Sequence, residues 1–527
     1  MLSNLAELFI DAKLVAWWLY SALLLFAIFF RFSRVFSIRN LDLCLLLVLA
    51  LSATATLKYR DAIWAPDPAE AEAATEAPDG STVPKSAPAE VVSDADKPNA
   101  ASGTESSVEH SVASAASTTA DAPSTEAASE ESAKAPAPAV HPGYTWGSRI
   151  LLVTSFLLIV RLVFDESLTR RPRLDQNLNA AGITFLCIPA FALLITAIAQ
   201  NPPQVSTRKA FDYGKALLER RDVQVNPNSP SEEHPAPTET LVAAGGAVVA
   251  QLADKEREVD WVARSLVIVA HTLVVLGLIA VGKMHFANTQ QGVAMALLYL
   301  LLPCTAVYAH QLSHVLPAAC LIWAIASYRN PVVAGVLLGL ASGTLFFAVF
   351  LLPVWAAFYG RRGSVKFAVS VMGVAAILVT TLLLISGDAS SFSNKLVTTT
   401  NWSVYRLLDD TSTAYDDALS QLYIRIPMAA IFFVMLTAMT VLPRPRNLEN
   451  LLSNSTSLVV AAQLWYPDDI GRYVLWYLPL LLLIVFRPRL DRLVPPDRMD
   501  RQSASIPAPT KVAGGSSVAM SRLSFFR

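Results

Sequence analysis

A run of charged residues at positions 209–222, KAFDYGKALLERRD, holds the side chains of this sequence that are best suited to chemistry. A helix over 209–221 would place Asp212 and Lys215 on neighbouring positions of one face, and Arg208 immediately precedes the run. A carboxylate there can take a proton from a hydroxyl group, and cations can bind a phosphate. The same pattern also fits a solvated amphipathic helix whose ions only pair with one another. The residue types therefore leave both interpretations open.

Two histidines and one arginine are further candidates for binding residues. His310 and His314 are four residues apart, a spacing that could present two imidazoles to a metal from one helical face. No acidic third ligand is near them in the sequence, so turn polarity or weak acceptor binding is the alternative. Arg472 lies between two apolar runs, where its guanidinium could bind a phosphate through two hydrogen bonds or anchor the chain at the lipid headgroups.

No cofactor is predicted. The segment GLASG at 339–343 lacks the lysine of a nucleotide-binding loop, so an ATP-driven pump is not expected. A divalent cation stays open as an alternative, because two acidic pairs could hold one. These pairs stand in a Ser/Thr-rich loop, where a hydrated surface is the default, and are Asp409 with Asp410 and Asp416 with Asp417.

Long apolar runs dominate the chain and predict its fold class. Hydrophobic residues make up 54% of the 527 residues and charged residues only 16%. The charges stand between apolar runs of roughly 17–22 residues, the length that a helix needs to cross a bilayer. We therefore expect an all-α, polytopic transmembrane helical bundle of about 11 spans. The predicted spans are 14–32, 41–57, 149–164, 179–199, 262–281, 291–309, 312–327, 365–386, 427–443, 455–466 and 473–486.

The segment 331–359 is too long for one crossing and too short for two. It contains Gly335, Gly339 and Gly343, followed by Pro353, and both of its flanks are basic. Glycine and proline interrupt membrane helices only where protein surrounds the freed backbone groups. The pattern predicts a broken-helix hairpin whose two ends lie on the same side of the membrane.

Short arginine-rich loops predict the orientation of the bundle. Because cytoplasmic loops hold an excess of lysine and arginine, one alternating scheme places all of these loops in the cytoplasm. The scheme places the insert 58–148 and the loops 200–261 and 387–426 outside. The arginines on which it depends are Arg31, Arg34, Arg39, Arg170, Arg171, Arg173, Arg444, Arg446, Arg487, Arg489 and Arg492.

An acidic segment rich in Ala, Ser, Thr, Pro and Glu covers residues 65–142. It holds 14 acidic residues and three lysines, a net charge of −11, so the rest of the chain carries about +10. Such a composition cannot bury enough apolar surface to offset its chain entropy. We expect a disordered extracytoplasmic spacer, with binding of an envelope partner as the alternative. This insert and the lack of a recognisable cleaved signal suit a bacterial inner membrane.

Four features follow one another between residues 179 and 490. The span 179–199 leads into the charged run at 209–222, which contains the acidic residue Asp212. A proline and a short turn follow in LYLLLPCTAVYAHQLSH at 298–314. A glycine-rich segment, VAGVLLGLASGTLFFAVFLLP, occupies 333–353, and WYPDDIGRYVLWYLP at 465–479 contains an Arg-Tyr pair. This order resembles the GT-C superfamily of membrane glycosyltransferases, which move a sugar from a polyprenyl-phosphate carrier to an acceptor on the outer face.

The resemblance implies roles for the candidate residues. Asp212 would be the catalytic base, and the substrate would be a polyprenyl-phosphate sugar. The substrate-binding residues would be Arg208, Lys215, Arg472, His310 and His314. The sequence departs from the family in having Thr344 and Leu345 where a lysine is frequent, and in placing three spans before the acidic loop.

These features divide the chain into five regions. A two-helix anchor is expected at 1–57, the disordered acidic insert at 58–148, and an accessory helix with a cytoplasmic loop at 149–178. The GT-C-like membrane core would cover 179–490, and a disordered cytoplasmic tail 491–527.

Two functions other than sugar transfer stay open, so enzymatic activity is itself an open point. A non-enzymatic envelope scaffold would use the acidic insert to reach a partner. A transporter or flippase commonly shows repeated broken helices and ions within the membrane, and only one broken segment is visible here. The lipid bilayer is the expected partner in every case, and no nucleic acid is expected.

Overall fold

The computed structural model describes residues 12–64, 142–165, 177–223, 235–252, 259–399, 422–442, 445–465, 471, 473–490 and 492–496. All of the predicted insert at 65–142 up to residue 141, most of the tail and Arg472 therefore lie outside the described residues. Apart from Trp64, everything described belongs to the unit formed by residues 1–63 and 140–527. Helices are the only regular elements in these ranges, which confirms the all-α prediction.

Sixteen helices occur in the part of the chain that the structure describes. In the described residues they are α1 Ala12–Phe29, α2 Ile38–Trp64, α3 Pro142–Val163, α4 Ala180–Gln200, α5 Val205–Glu219, α6 Pro237–Leu252, α7 Val259–Met284, α8 Thr289–Leu301, α9 Pro303–Val307, α10 Leu312–Ala326, α11 Pro331–Thr344, α12 Leu352–Leu384, α13 Ala389–Thr399, α14 Leu422–Val441, α15 Leu448–Trp465 and α16 Val474–Phe486. Two 3₁₀ turns, Phe32–Arg34 and Phe346–Leu351, complete the set.

Five helical segments in the described part of the chain are long and apolar enough to cross a bilayer. They are Ile38–Tyr59, Gly143–Val163, Ala180–Gln200, Val259–Met284 and Phe346–Leu384. Their length and composition make this chain a helical membrane protein. Four of five shorter apolar helices coincide with further predicted spans and the fifth, Pro331–Thr344, belongs to the predicted hairpin, so the full number of 11 crossings is not established by them. They are Trp18–Phe29, Leu312–Ala326, Pro331–Thr344, Arg425–Val441 and Val474–Phe486.

The segment 331–359 folds back on itself as the sequence predicts. The helix α11 ends at Leu345, whose extended backbone (φ −133°, ψ 115°) breaks the helical hydrogen bonding before the 3₁₀ turn. At the other end of the segment, the hydroxyl of Tyr359 donates a hydrogen bond to the carbonyl oxygen of Tyr328 at 2.8 Å. Because residues 328 and 359 meet, the segment is a hairpin. Gly360 then reverses the chain with φ +72° and ψ −171°, a backbone conformation that favours glycine.

The glycines of α11 serve close helix packing. A Cβ atom on Gly335 would lie 2.7 Å from the carbonyl oxygen of Phe367, and one on Gly339 would lie 3.0 Å from the Cβ of Val374. From the first contact to the second, the residue number rises in α11 and also in α12, so α11 and the second half of α12 run parallel. Small residues at four-residue spacing allow this close approach of two backbones.

A buried ion network joins four helices at one end of the bundle. Arg161 binds Asp42 through its Nε and through its Nη2, the latter at 2.8 Å, and its Nη1 lies 2.5 Å from Asp165. Arg487 contacts Asp165 and lies 2.6 Å from Glu449. We call this end, defined by these five residues, the arginine end. The start of α2, the end of α3, the start of α15 and the end of α16 all meet there, as the alternating scheme requires.

The environment of Arg161 differs from the sequence-based expectation. We expect from its position near a helix end that Arg161 reaches out to the headgroups, whereas only 5% of its side chain is exposed. Two carboxylates neutralise it inside the bundle instead. A buried arginine needs such partners because the desolvation of an unpaired charge is costly.

A second polar cluster ties two loops together at the other end of α12. The ammonium of Lys395 donates hydrogen bonds to Asp222 at 2.7 Å, to the carbonyl oxygen of Ile385 at 2.6 Å and to the hydroxyl of Ser391 at 2.7 Å. The N–H of Val223 donates to the same carbonyl. We call this the loop end. The stretch from 361 to 384 separates it from the arginine end by about 36 Å, at 1.5 Å per helical residue.

Candidate functional site

Asp212 lies on an amphipathic helix that packs against α6. The sequence predicts a helix over 209–221, and α5 confirms it with slightly earlier bounds. Gly214 faces α6 so closely that a Cβ atom there would lie 2.5 Å from the backbone nitrogen of Ala244. Asp212, two residues earlier, lies on the opposite face and is exposed. The helix ends at Arg220, which adopts the left-handed conformation (φ 52°, ψ 43°).

The carboxyl of Asp212 forms no ion pair with any residue that the structure describes. Although this side chain is exposed, neighbouring protein atoms exclude part of the water around its carboxyl, and this partial burial raises the pKa of Asp212. The nearby charges of Arg221 and Lys215 lower the pKa by less. Arg208 instead binds Asp260 at the start of α7, with its Nε 2.8 Å and its Nη2 3.0 Å from the two carboxylate oxygens. Asp212 is therefore available to another molecule, whereas Arg208 already has a carboxylate partner. Their roles toward a substrate stay predictions.

The two histidines of the short turn do not share a helical face. The helix α10 begins at Leu312, so His310 precedes it in the turn, where it is half-buried. His314 is buried, and its Nδ1 lies 2.9 Å from the hydroxyl of Ser313. The two imidazoles therefore do not use the common helical face that their spacing would allow, because the extended backbone of Gln311 separates the two positions. Within the described ranges no group of three potential ligands could hold a metal.

A third histidine, His271, is bonded to neighbouring segments, as its mid-span position predicts. Its Nε2 lies 2.8 Å from the carbonyl oxygen of Ala309, and its Nδ1 lies 2.9 Å from the hydroxyl of Tyr299. Both ring nitrogens therefore have protein partners, and His271 has a structural role.

An aromatic cluster surrounds the tip of the hairpin. The ring centroid of Phe347 lies 5.5 Å from that of Tyr473 and 5.7 Å from that of Trp465, and Tyr473 lies 5.8 Å from His314. This cluster joins the 3₁₀ turn after α11, the start of α10 and the start of α16. Although Arg472 lies outside the described residues, it immediately precedes Tyr473.

Sequence reasoning missed Glu239, which lies in the first turn of α6. Its side chain is buried, one carboxyl oxygen accepts the N–H of Ala236 at 3.3 Å, and the other has no hydrogen-bond partner in the described part of the chain. Burial raises the pKa of Glu239 to about 7. The available signal was an acid that directly precedes the apolar run TLVAAGGAVVA.

The first turn of α6 contacts the hairpin. The hydroxyl of Thr238 donates a hydrogen bond to the carbonyl oxygen of Leu340 at 2.9 Å, one turn before the tip. The α5–α6 pair therefore adjoins the hairpin one turn before its tip, and the aromatic cluster adjoins the tip itself. A site at this place would combine a carboxyl group, aromatic rings and an imidazole.

The fold and these side chains define the class of this protein as an all-α membrane protein with polar groups gathered around a hairpin tip. Comparisons of this chain with family models, with curated proteins and with solved structures found no match.

Proposed function

We propose that this protein is a GT-C-like membrane glycosyltransferase. It transfers a sugar from a polyprenyl-phosphate donor to an acceptor at the outer face of a bacterial inner membrane. In this proposal the loop end lies outside, the arginine end lies in the cytoplasm, and 11 spans and the hairpin form the bundle.

One observation carries the proposal: segments that are far apart in the sequence and that give the family resemblance adjoin one another at the hairpin tip. His314 contacts Tyr473, Tyr473 contacts Phe347, and Thr238 of the acidic outer loop bonds Leu340. A membrane glycosyltransferase needs its donor-binding and acceptor-binding segments in such an arrangement at one membrane face.

The chemistry assigns one role to each charged group. The carboxylate of Asp212 takes the proton of the acceptor hydroxyl while that oxygen bonds to the sugar and the lipid phosphate leaves. Partial burial makes this carboxylate a stronger base because it raises its pKa. Lys215, Arg208 and Arg472 would stabilise the leaving phosphate. His310 and His314 would contact the sugar or the acceptor.

Replacement of Asp212 tests the function. We expect Asp212→Asn to lower formation of the glycosylated product about 10²–10⁴-fold, the usual contribution of a general base. Mass spectrometry of glycans and glycolipids from cells that express each variant measures the effect. Glu219→Gln is the matched control, because Glu219 is an exposed acid of the same helix. An unchanged glycan profile at equal expression of Asp212→Asn would remove the catalytic role of that residue.

A further inference from the structure

A cavity of about 190 Å³ opens between α12, α14 and α15 near the arginine end. Its walls combine an apolar part, which includes Val354, Phe358, Met439 and Leu451, with a polar part of similar extent. Val441 and Leu442, which also line it, expose 73% and 55% of their surfaces. Since α14 is an apolar helix whose exposed side chains would face lipid, the cavity has an opening toward the bilayer.

The polar part of the cavity contains a cation, Arg446, which lies just before the start of α15. Arg446 is exposed and has no hydrogen-bond or ion-pair partner in the described part of the chain. The loop that carries it is held by two hydrogen bonds: the side chain of Asn447 accepts the N–H of Asn450 at 2.9 Å, and the amide of Asn450 donates to the carbonyl oxygen of Pro445 at 2.9 Å. The guanidinium is therefore presented to the cavity without an acid to neutralise it.

The surroundings of the cavity add to the positive charge. Arg446 lies beside Gly360, since a Cβ atom there would be 2.9 Å from its Nη1. Arg361, Arg362 and Lys366 follow this glycine, are exposed, and form no ion pair with any described acid. Several cations that pair with no described acid, next to a cavity with an apolar part, match a ligand with a negative head and an apolar tail.

We propose that this cavity binds an anionic phospholipid, with its phosphate at Arg446 and the first part of its acyl chains between Phe358 and Met439. Charge complementarity selects the headgroup, and the apolar walls with their lateral opening select a lipid over a free phosphate. The site is independent of the proposed sugar transfer, because it lies near the arginine end and uses none of the residues assigned to that reaction.

Native mass spectrometry of the full chain in non-ionic detergent tests this site. The purified protein is titrated with phosphatidylglycerol, with zwitterionic phosphatidylcholine and with inorganic phosphate, each separately. We expect retention of one phosphatidylglycerol and no comparable retention of the other two. Arg446→Gln should weaken phosphatidylglycerol binding about fivefold, the usual effect of one basic side chain at an anionic headgroup.

Two further variants separate a defined site from general attraction. Ala357→Leu keeps every charge but fills the cavity, and it should lower binding at least as much as Arg446→Gln. Arg149→Gln removes an exposed cation from the start of α3, far from the cavity, and should leave binding unchanged. Equal binding of phosphatidylglycerol by the unaltered chain and by all three variants would overturn the proposal. So would equal losses in Arg149→Gln and Arg446→Gln, or Arg446-dependent binding of inorganic phosphate alone.

Discussion

At the scale of single residues, Glu239 has an environment that penalises its charged form. The carboxyl is buried, its one donor among the described residues is a backbone N–H, and it has a pKa of about 7 instead of the ordinary 4.5. Between these values the unfolded chain releases its proton while the folded chain keeps it. Glu239 therefore lowers stability as pH rises from about 4.5 to about 7, by about 3 kcal/mol in total.

Glu239→Gln should remove this pH dependence. The amide has the same shape and stays neutral, so we expect the variant to unfold at a higher temperature than the unaltered protein at pH 8 and at a similar temperature near pH 4.5. Thermal unfolding of the detergent-purified protein from pH 4.5 to 8 measures the difference. Glu219→Gln, an exposed control, should follow the unaltered protein. Parallel pH profiles for Glu239→Gln and the unaltered chain would show that Glu239 is ionised in the fold.

The two acids also show what the sequence reveals about single residues. The charge pattern around Asp212 predicts an amphipathic helix correctly, because helical periodicity is local. The burial of Glu239 depends on α6 packing against α5 and α11, and the contact between α6 and α11 joins Thr238 to Leu340, 102 residues later. The alternation of charged and apolar residues does not contain that information.

At the scale of elements, the parallel packing of α11 on α12 depends on glycine. Gly335→Ala would place a methyl group 2.7 Å from the carbonyl oxygen of Phe367, so the helices must separate. We expect a loss of about 1–3 kcal/mol, seen as a lower unfolding temperature. Gly373→Ala is the matched control, since a Cβ there meets no atom within 4 Å. It should be neutral or stabilising by about 0.5–1 kcal/mol. Equal unfolding temperatures for the two variants would contradict this packing role.

The sequence predicts the hairpin but not the reason for its glycines. Gly335, Gly339, Gly343 and Pro353 mark an interrupted helix of unsuitable length, which is sufficient to predict that the chain turns back. That the glycines contact α12, rather than forming the break itself, follows from the register of two helices. The break falls at Leu345, which is neither glycine nor proline.

At the scale of the whole molecule, the arginine end and the loop end should lie on opposite sides of the membrane. Ser33→Cys places a thiol at an exposed position between α1 and α2, and Ser393→Cys places one on α13. In intact spheroplasts a membrane-impermeant maleimide should label Ser393→Cys, and it should label Ser33→Cys only after permeabilisation. The unaltered chain, with its four native cysteines, gives the background. Labelling of Ser33→Cys alone in intact spheroplasts would reverse the proposed orientation.

Loop charge is informative at this scale because the excess of lysine and arginine in cytoplasmic loops depends on the side of the membrane and not on contacts between residues. It correctly groups the loops before α2, after α3, before α15 and after α16 at one end. The partners of Arg161 are not predictable in this way, since Asp42 lies 119 residues away and is joined to it only by the packing of α2 on α3.

The position of Asp165 has a consequence for the order of assembly. One of its oxygens binds Arg161 in the preceding helical turn, whereas the other binds Ser453, 288 residues later, and Arg487. During translation the pair with Arg161 can form as soon as α3 emerges, whereas Ser453 and Arg487 can join it only when the last helices are inserted. A polypeptide that ends before α15 would therefore lack Ser453 and Arg487, so the ion network of the arginine end is completed only in the full-length protein.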